Sequence, residues 1–382
     1  MRSVPAAERR ARLGRRHHLA SPARDVVAAA GDLVGFHSSD PASVYLSARS
    51  RLQGFVAADL EAALYEDRSL LRLLGMRRTM FVVPREVGTE MQWSCAREQA
   101  QPQRRRLLGW VADLGEDEAW LDSVAERTLG ALADRGEATA RELREFVPEL
   151  QTRLDAGKYG TFGLSTRVLF QLAVEGRVVR TRPLGTWVST QYRWALLDEW
   201  VAGGLPALEP GEAAARLLGR WLRGYGPGTE QDLAWWTGWG LRKTRAALEA
   251  VEAVEVDLDE TPGYLLPDDA EPVSAPSPWV ALLPGLDPAT MGWKERGWYL
   301  GEGSADLFDR NGNGGPTVWA DGRVVGGWAQ RDDGEVVVDI HEDVGSETAR
   351  QIDSEAARLQ DWLGERRFKT RFPVPREQRL RG

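Results

Sequence analysis

The amino-acid sequence predicts an α+β chain: three tandem winged-helix modules followed by a small β-barrel-like C-terminal domain with one helix. Three observations predict it. A unit of two or three short helices followed by a β-hairpin with a Gly, Pro or basic tip occurs three times. The composition then shifts over residues 267–277 to Pro, Ser and acid, as a linker does, and the runs beyond it read mainly as strands. Finally, 382 residues exceed what one ordinary core organises.

The elements place module boundaries at 1–115, 116–205, 206–270 and 271–382. In the first module Ala23–Ala30 reads as a helix and Val34–Phe36 as a short strand. Asp40 and Pro41 then open a helix as N-cap and first residue, and Val44, Ala48 and Leu52 share one face of it. A helix over Ala57–Tyr65 precedes two apolar strands, Leu70–Met76 and Thr79–Val83, around the basic turn Arg77-Arg78, the expected wing. The second module begins near Leu121. Thr139 and Glu142 form a capping box, Ser165 caps a helix over Thr166–Glu175, and Gly176 ends it. Arg177–Thr181 and Thr186–Trp194 then read as a hairpin.

The third module runs from Gly211 through a helix to Arg223, a cap at Thr229–Asp232, a helix over Leu241–Ala250 and strands near Val254–Asp257 and Tyr264–Leu266. In the last domain the expected strands are Trp279–Leu283, Trp298–Leu300, Thr317–Ala320, Val324–Ala329 and Val336–Ile340. Asp321-Gly322 and Asp333-Gly334 are hairpin turns between them, and an amphipathic helix over Glu347–Leu363 precedes a basic tail.

Composition narrows the function classes. No run approaches the roughly 18 apolar residues of a membrane span, and no apolar segment follows the basic N-terminus as in a secretory signal. The single cysteine, Cys95, fits a reducing cytoplasm. Four histidines, scattered except for His17-His18, argue against a zinc site. There is no Gly-rich phosphate loop and no nucleophile elbow, so neither a metal nor a cofactor is expected. The net charge of −8 is unevenly spread: residues 1–24 and 366–381 each carry a local +6, and Arg104-Arg105-Arg106 adds a third basic cluster. Phosphates respond to the local field, so this distribution permits DNA binding.

Five segments carry a resemblance: Gly35–Leu52, Gly75–Pro84, Tyr225–Gly238, Leu282–Leu300 and Pro316–Trp328. Through them the chain, over about residues 10–365, resembles the bacterial winged-helix DNA-binding family that includes the AlkZ/YcaQ-type DNA glycosylases. The resemblance implies a cofactor-free enzyme of the bacterial cytoplasm and nucleoid acting on damaged double-stranded DNA, and a monomer is expected because three wings and a hairpin already surround one duplex. Its reaction would be hydrolysis of the N-glycosidic bond of N7-alkylated purines or of interstrand crosslinks. The alternative is a non-catalytic winged-helix DNA-binding or regulatory protein that has lost the glycosylase motif. Members carry Gln-apolar-Gln or Gln-apolar-Asp just before the helix start, whereas the matching positions here hold His37, Ser38 and Ser39, followed by Asp40.

Depurination passes through an oxocarbenium-like centre, which needs a positioned water and a negative or dipolar group near the sugar. His37 and Ser39 share one side of an extended segment, neutral His37 being a possible base, and Asp40 offers the charge. The plain readings are a polar residue at a strand end, a loop hydroxyl and an N-cap. The second candidate is a hairpin between Leu283 and Leu300. Its tip would insert Met291 or Trp293 beside bases and set Lys294 and Arg296 on phosphates, unless Trp293 packs on its own domain. Arg77 and Arg78 at the first wing are read as phosphate contacts or a solvated turn. Asp287 belongs to the resemblance without an assignable task.

Overall fold

The computed structural model describes residues 1–155, 157 and 160–382, which gather into two compact units. One comprises Met1–Leu60 with Ala215–Gly382, the other Glu61–Ala214. The units cut across the module boundaries expected from the order of elements, since the first expected module is divided at Leu60.

In the first unit the N-terminal strand Arg2–Ser3 pairs in parallel with Val254–Leu258, which forms an antiparallel hairpin with Thr261–Leu265. Val4, Val256, Leu258 and Leu265 close a small core under this sheet. The hairpin follows the helices Glu230–Thr237 and Leu241–Ala250, and the expected cap at Thr229 is a full capping box with Asp232. Four further strands, Val280–Leu283, Thr317–Ala320, Arg323–Gln330 and Val336–Ile340, form an antiparallel meander in sequence order. Gly322 takes φ 82° in the turn, and a Cβ there would stand 2.6 Å from Cβ of Arg10, so both backbone and space require glycine.

The first and last strands of this meander do not pair with each other, so the sheet is open and the expected barrel-like closure is not made among the described residues. Trp298–Leu300 is not a strand; only Leu300 makes a single parallel bridge, to Val324. A closing helix, Gly345–Leu363, and a terminal helix, Pro375–Arg381, complete the unit.

An aromatic cluster fills the middle of the first unit. His17 is fully buried, stacked on Trp293 at 5.7 Å and edge-on to Tyr225 at 4.7 Å, and Trp221 lies in the same cluster. Burial, helped by the nearby Arg51, holds the His17 pKa well below its ordinary 6.5. The unfolded chain then binds a proton that the folded chain refuses, so stability is full above pH 6.5 and falls as the pH drops below it. Denaturant titrations at pH 7.5 and 5.5 are expected to show this loss at up to about 1.4 kcal/mol per pH unit, and His17→Phe should flatten it. Equal pH slopes in the two proteins would count against the assignment.

The second unit holds five strands in the order Met80–Pro84, Leu70–Leu74, Val178–Pro183, Tyr192–Leu196 and Ala138–Thr139, all antiparallel neighbours. The two hairpins expected as wings of separate modules therefore share one sheet, joined where Arg72 faces Arg180. The reason lies in the sequence of Leu70–Leu74: it is buried along its whole length, and so apolar an edge is stable only when covered. Leu107, Val111, Leu121, Val124, Leu143 and Val168 contribute to the core of this unit. The capping box of Thr139 and Glu142 is formed, with hydrogen bonds of 2.7 and 3.1 Å. Ser165 is not a cap, because the helix begins one residue earlier, at Leu164. No helix among the described residues is long and apolar enough to cross a membrane.

Candidate active site

The segment that leads into His37 is strained. Val34, a fully buried β-branched residue, adopts φ 52°, a left-handed conformation that costs on the order of 1–3 kcal/mol. Gly35 follows at φ 106°, and the hydroxyl of Tyr225 donates to the Leu33 carbonyl at 2.7 Å. The chain then extends through Phe36–His37 and turns into the helix Pro41–Arg49, the site helix.

His37 and Ser38 are buried and Ser39 is half-buried. The Ser39 amide donates to Nδ1 of His37 over a long 3.4 Å. Asp40 caps the site helix as expected, accepting from the Ala42 amide at 3.1 Å through Oδ1. Its other oxygen accepts from the Arg371 amide at 2.9 Å, while the Arg371 guanidinium donates to the Ser39 carbonyl at 3.0 Å. Burial raises the Asp40 pKa above the ordinary carboxylate value, and the hydrogen bonds offset this only in part.

The site helix is bolted along one face to the segment 282–287. Ser43 donates to the Gly285 carbonyl at 2.6 Å, Ser47 to Oδ2 of Asp287 at 2.6 Å, and Ser50 to the Leu282 carbonyl at 3.0 Å. Arg51 forms a bidentate pair with Asp287 at 2.8 and 2.7 Å, and neither side chain is exposed at all. Asp287 thereby has the task that sequence reading could not give it: it caps the helix Pro288–Met291 and anchors the helix that carries Asp40. Ser43 and Ser47 stand at i, i+4 on one face of the site helix, and Arg51 follows just beyond its end.

The second candidate is built differently from expectation. Residues 291–296 are not the tip of a paired hairpin but the end of the helix Pro288–Met291 and a coil after it, locked into the first unit. Met291 is buried, its Sδ accepting from the Gly314 amide at 3.2 Å. Trp293 is 1% exposed and packs against Tyr225, Trp298 and Tyr299. Both are core residues and neither is presented for insertion between bases. Asp232 fixes the backbone by accepting from the amides of Lys294 and Glu295 at 2.9 and 2.8 Å. The Lys294 side chain is exposed, whereas the half-buried Arg296 donates to the carbonyls of Trp293 and Gly312 and lies over Phe308.

In the second unit Arg77 and Arg78 both take left-handed φ, 50° and 61°, in the tight turn between the first two strands, and Arg78 is exposed. Arg167, in the first turn of the helix Leu164–Val174, lies 3.8 Å over Phe162, its pKa lowered by partial burial and by the charges of Arg106 and Arg78. None of Arg78, Arg106 and Arg167 has a carboxylate partner among the described residues, whereas Arg104 pairs with Glu118 and Asp122. Sequence reading singled out Arg78 and Arg106 but not Arg167, which sits in a helix with no other cation.

Comparison with known proteins supplies the context for this geometry. The family described as DNA glycosylase AlkZ-like matches residues 30–362. The chain belongs to the AlkZ-like DNA glycosylase family. Among solved structures it is similar to the Streptomyces sahachiroi DNA glycosylase AlkZ, with a TM-score of 0.75 and 22% identity, over 97% of this chain and 99% of that one. No curated protein matches it. The matched region contains His37–Asp40, the site helix and Asp287.

Proposed function

We propose that the protein is a monofunctional DNA glycosylase that hydrolyses the N-glycosidic bond of N7-alkylated purines, interstrand crosslinks included. The observation that carries this reading is the buried, hydrogen-bonded Asp40 next to His37 and Ser39, inside the region that defines family membership. A cationic N7-alkylpurine is already a good leaving group, so the protein has to stabilise positive charge on the sugar and place a water. Asp40 supplies the negative field from a site of low polarity, where it acts more strongly than in water. His37 and the Ser39 hydroxyl hold the water, whose oxygen adds to C1′ of the sugar as the neutral alkylpurine leaves and whose proton passes to the His37 imidazole.

Helix–helix–hairpin order at residues 230–265 supports a winged-helix reading of that region. Arg78, Arg106 and Arg167 are cations of the second unit without a carboxylate partner among the described residues and suit phosphate contact, with Arg77 beside Arg78 in the wing turn. Lys294 is the exposed cation of the 291–296 segment and serves the same purpose on the first unit.

The test is to incubate the protein with a duplex bearing N7-methylguanine and with a crosslinked duplex, then cleave at abasic sites. Abasic product is expected from at least one. Absence of product from both, with salt-dependent binding retained, overturns the catalytic reading in favour of a DNA-binding protein without catalysis. In the same binding assays Arg167→Ala should weaken affinity for duplexes of any sequence and reduce the slope of log K against log salt by about 1. An unchanged slope would remove Arg167 from the interface.

A further inference from the structure

The segment that follows the closing helix contributes groups to the candidate site from more than 300 residues away in sequence. Beyond Arg371, whose amide and guanidinium hold Asp40 and Ser39, stands a second buried carboxyl group. Glu377, in the terminal helix, is 2% exposed. Its Oε1 accepts from the Thr370 hydroxyl at 2.6 Å, and the Arg381 guanidinium lies 3.5 Å away. Its Oε2 is buried with no hydrogen-bond partner among the described residues. A carboxyl group so enclosed is costly to bury, and nothing in the proposed chemistry uses it directly. Its position gives the reason. Thr370 immediately precedes Arg371, so the bond from Thr370 to Glu377 fixes the stretch of chain whose next amide is the donor to Asp40.

We propose that Glu377 is a positioning residue for the active site, clamping Thr370 so that the Arg371 amide and guanidinium hold Asp40 and the Ser39 carbonyl in place. The clamp closes on the site through three links: Glu377 to the Thr370 hydroxyl, Thr370 to Arg371 along the backbone, and Arg371 to Asp40 and Ser39. Two further features fit it. Burial raises the Glu377 pKa and the charge of Asp40 raises it further, so the two carboxyl groups sense each other. In addition, a Cβ on Gly285, in the segment that anchors the site helix, would stand 3.3 Å from Cγ2 of Thr370, so Thr370 is seated directly against that anchor.

This inference rests on the proposed glycosylase activity for its kinetic consequence but not for its structural one, and the test separates them. Hydrogen exchange at the Arg371 amide is measured in the full chain for wild type, Glu377→Ala, Thr370→Val and Glu377→Gln, together with thermal melting and single-turnover and steady-state excision from an N7-methylguanine duplex. Glu377→Ala and Thr370→Val are expected to speed exchange at Arg371 roughly tenfold and lower kcat roughly tenfold with KM nearly unchanged, as loss of one buried hydrogen bond would. Glu377→Gln keeps a carbonyl acceptor for Thr370 and should recover most of that loss, which a general loss of packing would not. Wild-type exchange at Arg371 in both Glu377→Ala and Thr370→Val overturns the clamp, whatever the enzyme does. If wild type excises nothing, the glycosylase reading fails and the exchange measurement still decides the clamp. Should Glu377→Ala not fold, Thr370→Val and Glu377→Gln carry the comparison alone.

Discussion

Asp287→Ala is expected to destabilise the first unit by about 3–5 kcal/mol, the loss typical of breaking a buried pair from one side. The carboxylate and its Arg51 partner are both fully enclosed, so no water replaces the lost charge. Arg51 would be left as a buried cation whose remaining bond is to the Ser47 carbonyl at 2.9 Å, and Ser47 and the amide of Ala289 would each lose an acceptor. Asp287→Asn keeps the cap on the helix Pro288–Met291 but not the ion pair, and should fall between wild type and alanine. The double replacement Arg51→Met with Asp287→Leu should recover much of the loss, because the pair is costly to bury and its removal as a unit strands no charge. Guanidinium unfolding of the four proteins measures this. A loss below about 1 kcal/mol for Asp287→Ala would mean that the site helix is held by other contacts.

That pair also shows where the sequence was legible and where it was not. Local signals translated directly: Asp40 with Pro41, Thr139 with Glu142 and Thr229 with Asp232 all cap helices, because capping is decided within a few residues. The meander strands and the turn at Gly322 were likewise readable from alternation and turn chemistry. Misreadings arose where a residue's environment comes from distant chain. Trp293 was expected at an exposed tip because aromatic and basic residues alternate there, yet His17 and Tyr225, 276 and 68 residues away in sequence, enclose it. The hairpins at Leu70–Pro84 and Val178–Leu196 each look complete alone, and only the burial of Leu70–Leu74 on both faces shows that they share a sheet. His37–Asp40 are legible as a candidate because they are neighbours in sequence, while Arg371 and Glu377 stand in the sequence only as part of a basic tail. Glu377 is the lone acid among seven cations of that tail, an anomaly of type that composition averages away.

Asp40→Asn is expected to reduce excision roughly 100-fold, by analogy with removal of a single charge-stabilising group from an active site, while changing stability little. Asn serves as an N-cap about as well as Asp, so the site helix keeps its bond from Ala42. The folded-state pKa of Asp40 is raised by burial, which means the folded protein binds the proton more tightly than the unfolded chain does. Stability from this group is therefore full below its unfolded pKa and is lost as the pH rises through its folded one, so at neutral pH the charge is held at a cost. Asn carries no such cost but gives up the bond from the Arg371 amide, because its amide nitrogen cannot accept, and the two effects offset each other. If Asp40 were only a cap, the substitution would leave excision and its pH dependence untouched. If its charge serves the reaction, wild-type excision falls on the acid side as Asp40 takes up a proton, at a pH above its ordinary 3.8, and the Asn variant lacks that limb. Single-turnover rates from pH 4 to 8, corrected for spontaneous depurination, set beside urea unfolding of the same two proteins, distinguish the cases: a buried charge that costs stability and returns nothing in rate has no place in the proposed mechanism.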